Sequence, residues 1–151
     1  FVILDWKTNK DGLHFTSGFY RKDKKAKPVQ LTSEWCNTHE MMLPPFGHLE
    51  NCNGNHYTIQ LSTYARMVEL ILNIPCYGLG LCHIQTPFIK NQYGMPLRDK
   101  RGMYEIDKNG KEVVTWYHIK YIRNEIDAMF QDRKIYLNSK GLLNKQTQIQ
   151  W

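Results

Sequence analysis

The sequence predicts a domain of α/β (α+β) class, a mixed β-sheet flanked by helices, and three features predict it. The chain opens on an unbroken apolar run, Phe1-Val2-Ile3-Leu4. A segment near its middle steps its apolar residues at helical spacing through Leu61, Ala65, Val68 and Leu72. The elements then follow in the order strand, irregular stretch, helix, strand, hairpin, helix, which sets helices against a sheet.

Residues 1–8 read as the first strand. A continuous apolar run is the pattern of a strand covered on both faces, and it ends in the polar group Asp5-Trp6-Lys7-Thr8-Asn9. A buried strand at the very start of a chain is unusual, because termini favour the surface. The expectation is therefore a fragment or processed chain whose upstream partner lies elsewhere. Asp11-Gly12 signals a turn, and residues 13–20 are a further candidate strand with loose alternation. Residues 21–27, Arg-Lys-Asp-Lys-Lys-Ala-Lys, form a basic run. Such runs are usually solvated loops; the sharper alternative is an edge that contacts phosphates. Residues 28–55 hold the turn-rich clusters Pro44-Pro45-Phe46-Gly47 and Asn51-Cys52-Asn53-Gly54-Asn55, so 21–55 reads as an irregular insertion.

The clearest helix spans about 57–73, with Asn55 as N-cap and Pro75 as the stop. Residues 76–85 read as a core strand with Tyr77, Leu79, Leu81 and His83 on one face, and Gly78 and Gly80 where something packs closely. A hairpin is expected for 104–107 and 111–117 about Asn109-Gly110. A second helix is expected over 118–132, with Ile119, Ile122, Ile126 and Phe130 as its stripe. This makes one domain over residues 1–138 and a polar, mobile tail over 139–151.

The chain has 151 residues, enough for one domain with a core. Lys and Arg number 20 against 14 acids, a net charge of +6 that suits a polyanionic partner such as nucleic acid. No apolar run approaches the ~20 residues of a membrane span, and no signal-peptide pattern opens the chain. The four cysteines, Cys36, Cys52, Cys76 and Cys82, form no CxxC pair. Reduced thiols in a cytoplasmic setting are expected.

Two short motifs carry the chemistry. Asp5 and Lys7 stand at i and i+2 of a strand and so share a face. A carboxylate oxygen suits Mg²⁺, and a lysine beside it can orient a water or neutralise a phosphate; the plain reading is a surface pair at a strand end. Gln60 and Tyr64 stand at i and i+4 of the long helix and share its face. They can reach a phosphate or Lys7, or they can simply border the core.

Taken together, Val2-Ile3-Leu4-Asp5-Trp6-Lys7-Thr8-Asn9 resembles the Asp-x-Lys-Thr strand motif of the RecB-like branch of the PD-(D/E)XK nuclease superfamily. The string Tyr57-Thr58-Ile59-Gln60-Leu61-Ser62-Thr63-Tyr64-Ala65 resembles the Gln-x-x-x-Tyr helix that follows it in that branch, and Pro45 to Asn53 resembles the lead-in of phage-encoded members. The resemblance covers about residues 1–90. It implies a restriction-endonuclease-like core and hydrolysis of DNA phosphodiesters from an end, in the cytoplasm or that of a phage-infected host. Asp5 and the Trp6 backbone carbonyl would hold Mg²⁺ or Mn²⁺. Lys7 would act on the attacking water and the phosphorus. Gln60 and Tyr64, with Thr8, would hold the phosphate. The family also requires a metal-binding acid on an earlier strand. The chain is therefore expected to lack the N-terminal elements of that core and to be completed by an upstream segment or a second chain, with roles in recombination, repair or phage genome processing. The alternative is a non-catalytic nucleic-acid-binding or assembly module on the same fold.

Other residues invite other readings. Cys36 with His39 and His48 with Cys52 have chelating spacing for zinc, though such pairs are ordinary in a polar loop. Trp35, Trp116, Tyr117 and Tyr121 can stack on bases, though core or edge packing is commoner. His83 on an apolar strand face is expected to be a satisfied core histidine. A small-substrate phosphoesterase is disfavoured, because no Gly-rich phosphate loop is present.

Overall fold

The computed structural model describes residues 1–10 and 12–142. Their elements are β1 (Val2–Lys7), β2 (Gly18–Asp23), β3 (Gln30–Asn37), α1 (Asn53–Leu72), β4 (Gly78–Gln85), β5 (Val113–Ile119) and α2 (Arg123–Ser139). The architecture is α+β. A mixed sheet has the order β1-β4-β5, with β1 parallel and β5 antiparallel to β4, and β2 and β3 form a separate antiparallel hairpin.

The core lies between the sheet and α1. Leu61 and Ala65 of α1 pack on Leu79 and Leu81 of β4 and Ile119 of β5, with Phe1 and Ile3 of β1 alongside. Contrary to the cover on both faces that its composition predicts, the apolar run of β1 is covered on one face alone. Ile3 turns inward, while Val2, Leu4 and Trp6 are each more than half exposed on the outer face. Alternation along a strand sends successive residues to opposite faces, and α1 lies against only one of them. The outer face is apolar across the sheet, continuing through Val114 and Trp116, and Trp116 meets Trp6 edge-on at 5.5 Å. Gly80 is small for a reason: a Cβ there would come within 2.7 Å of the Leu4 side chain.

The expected irregular insertion over 21–55 contains a strand pair. β2 takes up the start of the basic run, and β3 lies wholly within the supposed loop. β3 is mostly polar, with Gln30 buried at its start and the rest part-exposed or exposed, so it lacks the alternation that marks a half-buried strand. The candidate strand 13–20 is ordered as a strand only from Gly18.

Helix α1 begins at Asn53, not near Tyr57, and its N-cap is Cys52 rather than Asn55. Asn55 lies inside the helix and donates from Nδ2 to the Glu50 carbonyl at 2.8 Å. The C-terminus closes at Asn73, which adopts the left-handed conformation and donates its N–H to Glu69 O.

The hairpin expected about Asn109-Gly110 does not form. Gly110 does end a turn, its N–H reaching Asp107 O at 3.2 Å. However, β5 pairs with β4, while residues 88–106 make isolated bridges Phe88↔Ile106, Lys90↔Pro96 and Arg98↔Tyr104. Helix α2 starts five residues later than expected. His118 and Ile119 belong to β5, and Tyr77, expected in β4, stands before it and is exposed. The isoleucine stripe is real: Ile119, Ile122 and Ile126 are all buried, but it crosses from strand into helix. Ser139, placed in the tail, is the last residue of α2; residues 143–151 of that tail lie outside the described residues.

A polar clamp joins α1, α2 and the entry to β4. Glu69 accepts from the Cys76 N–H at 3.0 Å, from Tyr121 Oη at 2.9 Å and from Arg66 at 3.3 Å, and Arg66 also donates to Asp127 of α2 at 2.6 Å. Burial alone would raise the Glu69 carboxyl pKa; the Cys76 and Tyr121 donors and the nearby arginines outweigh it and hold the pKa below its ordinary value. Burial and the Glu69 hydrogen bond push the Tyr121 phenol pKa up. A depressed carboxyl contributes stability that is complete above its unfolded pKa, and that stability is lost as pH falls through the folded one. The melting temperature is therefore expected to fall as pH drops below about 4.5, the carboxyl's ordinary value. The gap between wild type and Glu69→Gln should narrow over the same range, as calorimetry at stepped pH would show. A gap that stays constant down to pH 3 would contradict this.

Candidate active site

In open sheets with parallel strands, ligands gather beyond the carboxyl ends of the strands. β1 and β4 run parallel and finish on the same side, with Lys7 in register with His83. The inward face of β1 carries Ile3, then Asp5, then Lys7, so the strand passes from core to charge as it leaves the cover of α1. Asp5 and Lys7 are part-buried, with side chains 27% and 17% exposed.

The structure brings the two sequence motifs together. Lys7 Nζ lies 2.8 Å from Asp5 Oδ2 and donates to Gln60 Oε1 at 3.2 Å. Gln60 Nε2 in turn donates to Tyr64 Oη at 2.9 Å. A lysine has only donors, so the amide oxygen must face it and the amide nitrogen must face outward. The Tyr64 oxygen therefore acts as acceptor from Gln60, which leaves its own O–H to donate elsewhere. Tyr64 is 47% exposed, so that donor stands at the solvent end of a continuous chain from Asp5.

Three further residues belong to the cluster. The Lys7 ammonium sits 4.2 Å above the Tyr57 ring, a cation–π contact that fixes its position. Tyr57 and Asn9 exchange hydrogen bonds, Asn9 Nδ2 to Tyr57 Oη at 2.8 Å and Tyr57 Oη to Asn9 Oδ1 at 3.0 Å. His83, 3% exposed, donates from Nε2 to the Asn9 carbonyl at 2.9 Å. The turn after β1 is thus held from both α1 and β4. Tyr57 was legible from its i−3 spacing to Gln60. The roles of Asn9 and His83 depend on the β1–β4 register, which no local pattern encodes. Thr8 is exposed, one residue beyond β1.

For a divalent ion, Asp5 supplies a hard oxygen donor. Its Oδ2 is shut off from solvent and makes no aligned hydrogen bond among the described residues, although the Lys7 ammonium lies close. The Trp6 carbonyl follows it on an edge strand. This donor chemistry suits Mg²⁺ or Mn²⁺, which take few protein ligands and keep waters. Among the described residues no group of three or more His, Cys, Asp or Glu side chains is arranged to hold a metal.

The residues with zinc-like spacing have other neighbours. His39 lies 3.6 Å from Glu50 and His48 3.3 Å from Glu125, while Cys52 is buried at the start of α1. Trp35 stacks on His14, Tyr121 serves the Glu69 carboxylate, and Tyr117 packs against the core. No helix among the described residues is long and apolar enough to cross a membrane.

No family model, curated protein or solved structure matches the chain.

Proposed function

We propose that the cluster of Asp5, Lys7, Gln60 and Tyr64 is part of the catalytic site of a divalent-metal-dependent DNA phosphodiester hydrolase of the RecB-like PD-(D/E)XK type. The observation that carries this reading is the unbroken chain Asp5–Lys7–Gln60–Tyr64, in which two motifs 53 residues apart in sequence meet through a hydrogen bond. A surface ion pair at a strand end would need no such support, and the cation–π contact from Tyr57 adds a third restraint on one ammonium, beside Asp5 and Gln60.

In this reading Asp5 and the Trp6 carbonyl hold the ion, which when bound supplies positive charge beside the scissile phosphate. Lys7 has three donors. One is spent on Gln60 while the ammonium pairs electrostatically with Asp5, which leaves N–H groups for the attacking water or a phosphate oxygen. Because Gln60 and Tyr57 fix it, no reorganisation is needed as charge develops. The Tyr64 O–H donates to a phosphate oxygen at the open end. That family also uses a second metal-binding carboxylate, which a segment or subunit beyond the described residues would supply. The uncovered apolar face of β1 and β5 suits a core whose remaining elements come from the same source.

The test is metal localisation on this chain. Titration with Mn²⁺ should broaden the NMR resonances of Asp5, Trp6 and Lys7 first, and Asp5→Asn should remove that broadening. Broadening centred elsewhere, or unchanged in Asp5→Asn, would defeat the assignment and favour a non-catalytic nucleic-acid-binding or assembly module.

A further inference from the structure

We propose that the cleft between the β2–β3 hairpin and the start of α1 binds single-stranded DNA, with a base against its aromatic wall and phosphates along its cationic rim. The cleft measures about 700 Å³, within the range that takes a small-molecule-sized group. One wall is a fixed aromatic assembly. His14 and Trp35 stack at 4.1 Å with 13° between planes, and Tyr20 stands edge-on to both at 5.4 and 4.9 Å. Phe19 also lines the cleft and is 57% exposed on its hairpin strand, a phenyl face open to a ligand.

The rim is basic. Arg21, Lys22, Lys24 and Arg98 line the cleft, and none of its lining residues is an Asp or Glu. Arg21 pairs with Glu34 at 3.0 Å, whereas Lys22 and Lys24 form no ion pair among the described residues. Two N–H groups of lining residues, Trp35 Nε1 and Arg98 Nε, are buried without an acceptor among the described residues and add to the positive field. So does the start of α1, where Asn51, Cys52 and Asn53 line the cleft and no side chain caps the helix. An anion with a flat aromatic group answers both features. That is the chemistry of a nucleotide strand with its bases unstacked, since a duplex keeps its base faces covered.

The cleft also leads toward the candidate site. A second cleft of about 510 Å³ shares His14, Tyr20 and Leu31 with it and extends to Lys10, Lys111 and His83, with Asp107 as its carboxylate. His83 is the register partner of Lys7. A strand entering at the hairpin would follow cations to the end of β1. The choice of DNA over RNA rests on the hydrolytic reading; the binding of a single strand does not.

The experiment is fluorescence anisotropy of a labelled 15-residue oligothymidylate with the whole chain in EDTA, where no hydrolysis occurs. Phe19→Ala should weaken binding fivefold or more, as loss of a stacking face does. Lys22→Ala with Lys24→Ala should weaken it about tenfold and flatten the dependence of log K on log salt by roughly 1.4. Lys120→Ala, a cation that lines neither cleft, should change affinity less than twofold. Binding should quench tryptophan emission, and Trp35→Phe should remove most of that quench. An oligothymidylate that does not bind, variants at Phe19 and Lys22/Lys24 that bind like wild type, or equal affinity for a duplex of the same length would overturn the proposal. Tighter binding of the corresponding RNA would overturn the choice of DNA. Because this readout is metal-free, it fails independently of Mn²⁺ localisation at Asp5.

Discussion

Lys7→Ala is expected to lower the rate of DNA cleavage by about 10²–10³-fold while leaving the fold nearly unchanged. The rate estimate is that for deleting one preorganised donor to a developing charge. The stability estimate follows from exposure: a part-exposed ion pair near a surface contributes roughly 0–1 kcal/mol. Lys7→Arg should not rescue, because the planar guanidinium cannot occupy the space above the Tyr57 ring and still pair with Asp5 and donate to Gln60. The assay follows release of label from end-labelled DNA with Mg²⁺, in protein together with the segment or subunit that completes the carboxylate set. Melting is measured in parallel. Full activity in Lys7→Ala would remove the role assigned to this residue. Loss of activity accompanied by a large drop in melting temperature would show that Lys7 matters for structure instead.

Leu61→Ala should have the largest effect on stability. Leu61 is fully buried, and its side chain fills the centre of the contact between α1 and the sheet, against Leu79, Leu81 and Ile119. Truncating a leucine in such a site removes its transfer free energy and leaves a cavity, costing about 2–5 kcal/mol. For a chain of this length the melting temperature should fall by on the order of 10 °C. The neighbouring Gln60 rides on the same turn, so a loosened α1 should also weaken its hydrogen bond to Lys7. Chemical denaturation would show the effect as a lower midpoint with an unchanged slope. A change below about 1 kcal/mol would mean that α1 is held by the Glu69 clamp rather than by its apolar stripe.

The parts of the molecule that could be read from sequence are those set by local periodicity. Leu61 and Ala65 of the α1 stripe and Leu79, Leu81 and His83 of β4 are buried as their spacing predicts, while Leu72 at the end of the stripe is exposed, and the same geometry puts Asp5 with Lys7 and Gln60 with Tyr64 on shared faces. The parts misread have non-local causes. β3 is too polar to look like a strand, and its order comes from pairing with β2. The strand read at 111–117 is expected to pair with 104–107 across a nearby turn, although the partner of β5 is β4, across the long excursion of residues 86–112. The N-cap at Asn55 was reasonable chemistry at a position two residues inside the helix, because the helix starts earlier, where Gly54 lets the His14 carbonyl approach within 2.9 Å of its N–H. Asn9 and His83 joined the cluster only once the strand register was known.

The parallel pairing of β1 with β4 sets Val2 beside Gly78, with the hairpin and all of α1 threaded between them. Such a contact closes a large loop before it returns any free energy, and chains dominated by distant pairings fold slowly. During synthesis, β1 leaves the ribosome before β4 and cannot make this pairing until β4 has followed it out. Until then the Asp5 carboxylate and the Lys7 ammonium lack the β4 scaffold, so the cluster they form with Gln60 and Tyr64 would be among the last parts of the fold to assemble.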